Sequence, residues 1–257
     1  MRDILHPSHR AVLERFVGLQ EPRPVLLAFD YDGVLAPVVK DPGGHRMRRA
    51  TRSLLARLSR RYPVAAVSGR GWKHTSQLTE GVAPWVVGNH GFEFLRARPV
   101  PAAVLRQVRG WRRQLEAALA GVPGIHFEDK RSTLAIHYGL ERSWRRAEQA
   151  AYAAANQLRG TRLVPGKKVL NILPRRFPNK GDALRALIKK LGLEAALYLG
   201  DDVTDEDAFA VGVPLVLGVH VGPGRSLAPW RLDAQARVDE FMELLLALRP
   251  PRPGTRR

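Results

Sequence analysis

Val25-Leu26-Leu27-Ala28-Phe29-Asp30-Tyr31-Asp32-Gly33 is the stretch that decides the fold. Five consecutive apolar residues read as a strand buried on both faces, and the two carboxylates and glycine that stop them read as a polar turn. Open α/β sheets bind their ligands at the carboxyl ends of their strands, so these acids stand at a ligand edge. The pattern recurs outward along the chain. Pro63-Val64-Ala65-Ala66-Val67 ends at Ser68-Gly69-Arg70, Trp85-Val86-Val87 at Gly88-Asn89-His90-Gly91, and the run 195–199 at Gly200-Asp201-Asp202. Residues 213–219 form a final strand candidate. Between the runs, Leu54, Leu55 and Leu58 stand at helical spacing within 48–62, and Val12, Leu13, Phe16 and Val17 mark a short amphipathic helix that Pro22 and Pro24 end. The alternation predicts an α/β fold, a Rossmann-like core with a parallel sheet built from the two ends of the chain.

The middle of the chain reads differently. A helix over 101–119, strand character over 125–138, a second helix over 143–158 and a hairpin around Pro165-Gly166-Lys167-Lys168 describe an inserted α+β unit. The expected division is a core of residues 1–97 and 176–250, an insert of 98–175 and a disordered tail of 251–257.

Composition narrows the chemistry. With 45% hydrophobic and 26% charged residues among 257, the chain can bury a sizeable core. The absence of cysteine excludes disulfides, thiolate metal sites and cysteine nucleophiles, leaving oxygen and nitrogen groups to act. No apolar run reaches the length of a membrane span and no signal-peptide core opens the chain, so a soluble cytoplasmic protein is expected. Lys and Arg number 42 against 24 Asp and Glu, a net +18 that suits an anionic partner. The excess is mostly arginine scattered along helix-like segments, and 7% aromatics provide no base-stacking array, so a nucleic-acid-binding function is the remote alternative.

Four elements carry the chemistry. Asp30 and Asp32, spaced i, i+2 after a strand, can approach one small volume. Ser68 offers a hydroxyl beside the Gly69 amide, a pairing suited to a phosphoryl oxygen. Lys180, in Asn179-Lys180-Gly181-Asp182, puts an ammonium at a helix start, where phosphate is welcome. Gly200-Asp201-Asp202-Val203-Thr204-Asp205-Glu206 adds the carboxylates that a hard divalent cation needs. Singly, each also suits a turn, a cap or a calcium loop. Together, in this order, they are a specific signal.

These four motifs resemble those of the haloacid-dehalogenase superfamily of phosphohydrolases. The resemblance implies that Asp30 is the nucleophile of an aspartyl-phosphate mechanism and Asp32 the general acid and base. It further implies that Ser68, Gly69 and Lys180 bind the phosphoryl group, and that Mg²⁺ is held by Asp30, the Asp32 carbonyl and Asp201, with Asp202 and Asp205 in support. The superfamily usually has Thr where this chain has Val34, which implies reduced optimisation rather than inactivity.

Within the branch that carries an α/β cap, the chain is similar to the trehalose-6-phosphate phosphatases. The strings 29–37, Val67-Ser68-Gly69-Arg70, Gly88-Asn89-His90-Gly91-Phe92-Glu93, 200–206 and Trp230-Arg231-Leu232 carry the likeness. It implies that Glu128, Lys130 and His137-Tyr138 in the cap face the sugar hydroxyls. Asn171 and Leu173 depart from the family's Glu and basic residue, so phosphorylated glucosylglycerol, glucosyl- or mannosyl-3-phosphoglycerate and sucrose phosphate stay open as substrates. A catalytically silent sugar-phosphate binder is a further alternative. The implied partners are a small sugar phosphate and the synthase that makes it, with no nucleic acid and no membrane.

Overall fold

The computed structural model describes residues 1–18, 24–38, 46–96, 99–139, 144–166 and 168–249. The chain divides into two compact units, Met1–Ala97 with Pro178–Arg257, and Arg98–Phe177.

The first unit is built on an eight-stranded sheet in the order β1-β12-β11-β10-β2-β3-β4-β5. Its strands are β1 (Arg2–Asp3), β2 (Val25–Phe29), β3 (Val64–Val67), β4 (Trp85–Gly88), β5 (Glu93–Phe94), β10 (Ala195–Gly200), β11 (Val216–Val221) and β12 (Trp230–Leu232). All neighbours are parallel except β4 and β5. Side chains alternate across a strand, so each strand serves two layers. Leu27, Phe29, Val64, Ala66, Leu197 and Leu199 pack with helices α1 (Arg10–Val17), α2 (Arg49–Leu58) and α8 (Val238–Leu248). Leu26, Ala28, Ala65, Val67, Ala196 and Tyr198 pack with α6 (Lys180–Leu191) and α7 (Glu206–Phe209). Helix α3 (Trp72–Leu78) connects β3 to β4.

The second unit has a four-stranded antiparallel sheet, order β6-β7-β9-β8, from β6 (His126–Asp129), β7 (Leu134–His137), β8 (Thr161–Gly166) and β9 (Val169–Pro174). Leu134, Ile136, Leu170 and Ile172 point to one face, where they pack on α4 (Ala102–Ala118) through Val108, Trp111 and Leu115. On α5 (Trp144–Asn156) they meet Ala147, Ala151 and Ala155, whose i, i+4, i+8 spacing makes a small-residue seam.

Several boundaries differ from expectation. The strand expected over 213–219 begins at Val216, and β12 follows it, so it is not the last. Strands β1, β5 and β12 are too short to show periodicity, which is why the sequence pattern does not declare them. The second unit ends at Phe177 rather than residue 175. The turn after β9 stays with it, because Phe177 N–H donates to Pro174 O at 3.0 Å and Arg175 N–H to Gly160 O at 2.8 Å. The expected tail of 251–257 lies outside the described residues, and the helix expected to end at Pro22 and Pro24 stops earlier, at Val17, where Gly18 takes a left-handed conformation and its N–H donates to Glu14 O.

Candidate active site

Three neighbouring strands, β10, β2 and β3, deliver Asp201, Asp30 and Ser68 at their carboxyl ends. Asp30 is buried. Its Oδ1 accepts the Tyr31 N–H at 2.6 Å, and its Oδ2 accepts from Lys180 Nζ at 2.6 Å. Lys180, only 1% exposed, opens α6, whose start is fixed by the reciprocal capping box of Asn179 and Asp182. The same ammonium donates to Asp205 Oδ1 at 2.6 Å.

Asp205 is the organiser of this cluster. Its Oδ1 also accepts from Tyr198 OH at 2.5 Å, and its Oδ2 accepts from the backbone N–H groups of Asp201 and Asp202, both at 2.9 Å. Four hydrogen bonds fill the acceptor capacity of a carboxylate. Asp202 is tied to Asp205 by a reciprocal capping box, and its Oδ1 accepts Val203 N–H at 2.7 Å.

The electrostatics follow from burial. Desolvation raises Asp30 well above the usual carboxylate range; Lys180 opposes this, while Asp205 and Asp201 add to it. Burial works against the Lys180 charge, but Asp205 and Asp30 outweigh it and hold the ammonium above its ordinary range. Tyr198 is driven up by burial and by Asp205 and Asp30, so its hydroxyl remains a donor.

Asp30, Asp201 and Asp205 each present an oxygen within 4.8 Å of the others. Three carboxylates around one ammonium leave two negative charges unbalanced, and hard oxygen donors in surplus suit a divalent cation. With Asp205 saturated, Asp30 and Asp201 are the side chains suited to ligate it.

Ser68 is fully buried, and its Oγ accepts Arg70 N–H at 3.1 Å, leaving the hydroxyl hydrogen to donate. The loop is braced from β4: Asn89 N–H donates to Arg70 O at 2.7 Å and His90 N–H to Ser68 O at 3.0 Å. Asn89 and His90 hold left-handed backbone to do this, and Gly91, at φ 118°, lets Asn179 O approach where a Cβ would stand. Glu93 closes the string by accepting the Trp72 N–H at the start of α3. The sequence flagged this string without a mechanism; its residues brace the Ser68–Arg70 loop.

Asp32 is held by a residue that sequence reasoning passed over. Arg70 donates from Nε to Oδ2 and from Nη2 to Oδ1, each at 2.7 Å. The turn is also tied by Gln235, whose Nε2 donates to Val34 O at 2.8 Å. Neither partner has a local sequence signal, since both lie far along the chain.

In the second unit, the register Glu128–Ala135–Asn171–Val164 places these side chains on one face of the sheet, with Lys130 and His137 two residues along. This is the face opposite α4 and α5. Glu128 Oε2 lies 2.9 Å from His137 Nε2 and 3.8 Å from Lys130 Nζ. Asn171 is 8% exposed, and its Nδ2 donates to Val164 O at 3.4 Å, so part of the amide is used inside the sheet. Tyr138 corrects the expectation. It is buried in the cluster under the helices, with its OH donating to Glu148 Oε1 on α5 at 3.1 Å, because it follows His137 and faces the other way.

A family model described as trehalose-phosphatase matches residues 28–227. The chain belongs to the trehalose-phosphatase family. A trehalose-phosphate phosphatase of Mycobacterium marinum is 34% identical over 252 residues, which cover 91% of this chain and 64% of that protein. This family member thus spans just under two thirds of that relative's length. The C-terminal domain of the C. albicans trehalose-6-phosphate phosphatase shares the fold at TM-score 0.74 and 22% identity, over 93% of this chain and 96% of that one. The Aspergillus fumigatus trehalose-6-phosphate phosphatase superposes at TM-score 0.65 and 25% identity, over 95% and 98%. Among the described residues of this trehalose-phosphatase family chain, no helix is long and apolar enough to cross a membrane.

Proposed function

We propose that the chain hydrolyses trehalose 6-phosphate to trehalose and phosphate, with Mg²⁺ as cofactor and an aspartyl-phosphate intermediate. The observation that carries this reading is the buried Asp30 carboxylate, held by Lys180 at a strand's carboxyl end beside Asp201 and Asp205, in a chain of the trehalose-phosphatase family.

Asp30 is the nucleophile. A carboxylate oxygen attacks phosphorus as the bond to the sugar oxygen breaks, and Lys180, the Ser68 hydroxyl and the Gly69 amide neutralise the phosphoryl oxygens. Asp32 gives its proton to the departing sugar oxygen and later takes one from the water that cleaves the acyl phosphate. Asp30, Asp201 and the Asp32 carbonyl would hold Mg²⁺, which screens carboxylate from phosphate. Asp205 orients Lys180 and the 201–202 backbone, while Asp202 shapes the turn.

Residues 98–177 act as the specificity cap, in which Glu128, Lys130, His137 and the Oδ1 of Asn171 meet sugar hydroxyls. The substrate's source is the synthase that makes this sugar phosphate, and the compartment is the cytoplasm. Asn171 in place of a carboxylate favours a second reading, turnover of another phosphorylated glycoside.

Phosphate release from trehalose 6-phosphate with and without Mg²⁺, beside a panel of glycosyl phosphates, tests both readings. Fast, Mg²⁺-dependent release that Asp30→Asn abolishes is expected. Full activity of Asp30→Asn would overturn the mechanism, and a faster alternative sugar would overturn the substrate.

A further inference from the structure

Arg70 ends the β3 loop, and the loop itself is rigidly held: its N–H is on Ser68 Oγ and its carbonyl takes the Asn89 N–H. From this fixed base its guanidinium makes a two-point contact with Asp32, Nε to Oδ2 and Nη2 to Oδ1, both at 2.7 Å. The guanidinium carbon also lies 5.9 Å from the centre of the Tyr31 ring. The two side chains are 18% and 31% exposed, so the pair is only partly screened by water.

An aspartate on a turn beside a glycine samples several rotamers. A planar fork on both of its oxygens selects one of them, which a lysine's single point of charge would not do. We propose that Arg70 is the positioning residue for Asp32, fixing the plane of its carboxyl group for proton transfer to the leaving oxygen. The inference rests on the phosphatase reading above.

In the first step the Asp30 O–P bond forms, the P–O bond to the sugar breaks, and the proton on Asp32 passes to the sugar oxygen. A protonated Asp32 keeps both oxygens on the fork, the hydroxyl oxygen accepting through a remaining lone pair while its hydrogen points to the leaving oxygen. In the second step water oxygen bonds to phosphorus, the Asp30 O–P bond breaks, and the water proton returns to Asp32. Arg70 touches neither reacting atom; it acts through the orientation of Asp32.

The role separates from a structural one by leaving group. An alkoxide departs only with a proton, whereas p-nitrophenolate departs without one. For Arg70→Gln, kcat/KM on trehalose 6-phosphate is expected to fall about 100-fold, the lower range for loss of a placed general acid, and on p-nitrophenyl phosphate by less than about 3-fold. Arg70→Lys should recover only part of the loss, because one donor cannot hold both oxygens. In an Asp32→Asn background, Arg70→Gln should cost no more than about 2-fold, since contacting partners couple in a double-mutant cycle.

Equal losses on the two substrates, or a full further loss in the Asp32→Asn background, would show that Arg70 grips the phosphoryl group or holds the fold, and would overturn the inference. If Arg70→Gln does not fold by circular dichroism, the Arg70→Lys protein carries the same two-substrate comparison. Wild-type protein run alongside keeps the readings apart: its failure on both substrates removes the phosphatase function, whereas its activity with substrate-independent Arg70 losses removes only the positioning role.

Discussion

The Asp201 carboxylate stands in the space that a side chain on Gly33 would occupy. The turn that follows Asp30 and the loop that follows β10 therefore touch through a glycine, at the point where Asp30 and Asp201 come within reach of one ion. Gly33 also holds φ 78°, a left-handed conformation that costs other residues about 1 kcal/mol.

Gly33→Ala should accordingly act twice. The backbone penalty and the clash together are expected to lower stability by about 1–3 kcal/mol, and displacement of Asp201 should weaken Mg²⁺ binding. Urea denaturation and calorimetric Mg²⁺ titration measure the two effects separately. An alanine variant with unchanged stability and unchanged Mg²⁺ affinity would contradict the placement of Asp201.

Lys180 joins two acids that are otherwise buried together. Lys180→Met removes the ammonium from Asp30 and Asp205 and leaves their charges uncompensated, a change that typically costs about 3–5 kcal/mol. The penalty should shrink in acid, because burial raises Asp30 and the loss of the ammonium removes the group that opposes this, and protonated carboxyls need no counter-ion. Melting temperatures at pH 5 and pH 8 should show a larger deficit at pH 8. A deficit independent of pH would point to lost packing of the methylene stem instead.

What the sequence disclosed, it disclosed through local pattern. Runs of apolar residues ending at Asp30, Ser68 and Asp201 mark strands and their ligand edge without help from the rest of the chain. Tyr198 escaped because it sits inside such a run, 195–199, and reads as core; only the fold reveals that its hydroxyl meets Asp205. Arg70 and Asp32 are 38 residues apart, and no spacing rule links an arginine on one loop to an aspartate on the next. Val34 has a physical account as well. Its side chain is fully buried in the apolar cluster beneath β2, where a methyl packs without leaving a hydroxyl to be satisfied.

The N-terminal strand supplies a pH-dependent contribution. Burial works to raise Asp3, but hydrogen bonds from Arg237 at 2.9 Å and from the Leu5 N–H outweigh it and hold its carboxyl below the usual range. A carboxyl lowered by folding stabilises the protein above its unfolded value of about 3.9, and that gain disappears as pH falls through the folded value. Both partners are substantially solvent-exposed, so the gain is less than about 1 kcal/mol. Asp3→Asn should therefore be slightly less stable than wild type at pH 7 and equal to it near pH 2, by denaturant titration at both pH values. A constant difference would place its origin in the Leu5 turn rather than in the ion pair.

Glu128 connects two other titratable groups of the open face of β6 and β7, facing His137 at 2.9 Å and Lys130 at 3.8 Å. Glu128→Gln keeps the shape and removes the charge that holds both neighbours. If this face binds the sugar away from the reacting phosphorus, the lost contacts are shared by ground state and transition state, so KM should rise with kcat little changed. A rise of about 10-fold in KM for trehalose 6-phosphate corresponds to one charge-assisted hydrogen bond of about 1.4 kcal/mol. The constants for p-nitrophenyl phosphate, which has no sugar, should stay at wild-type values. A fall in kcat on both substrates would remove Glu128 from sugar recognition and assign it to the structure of the sheet.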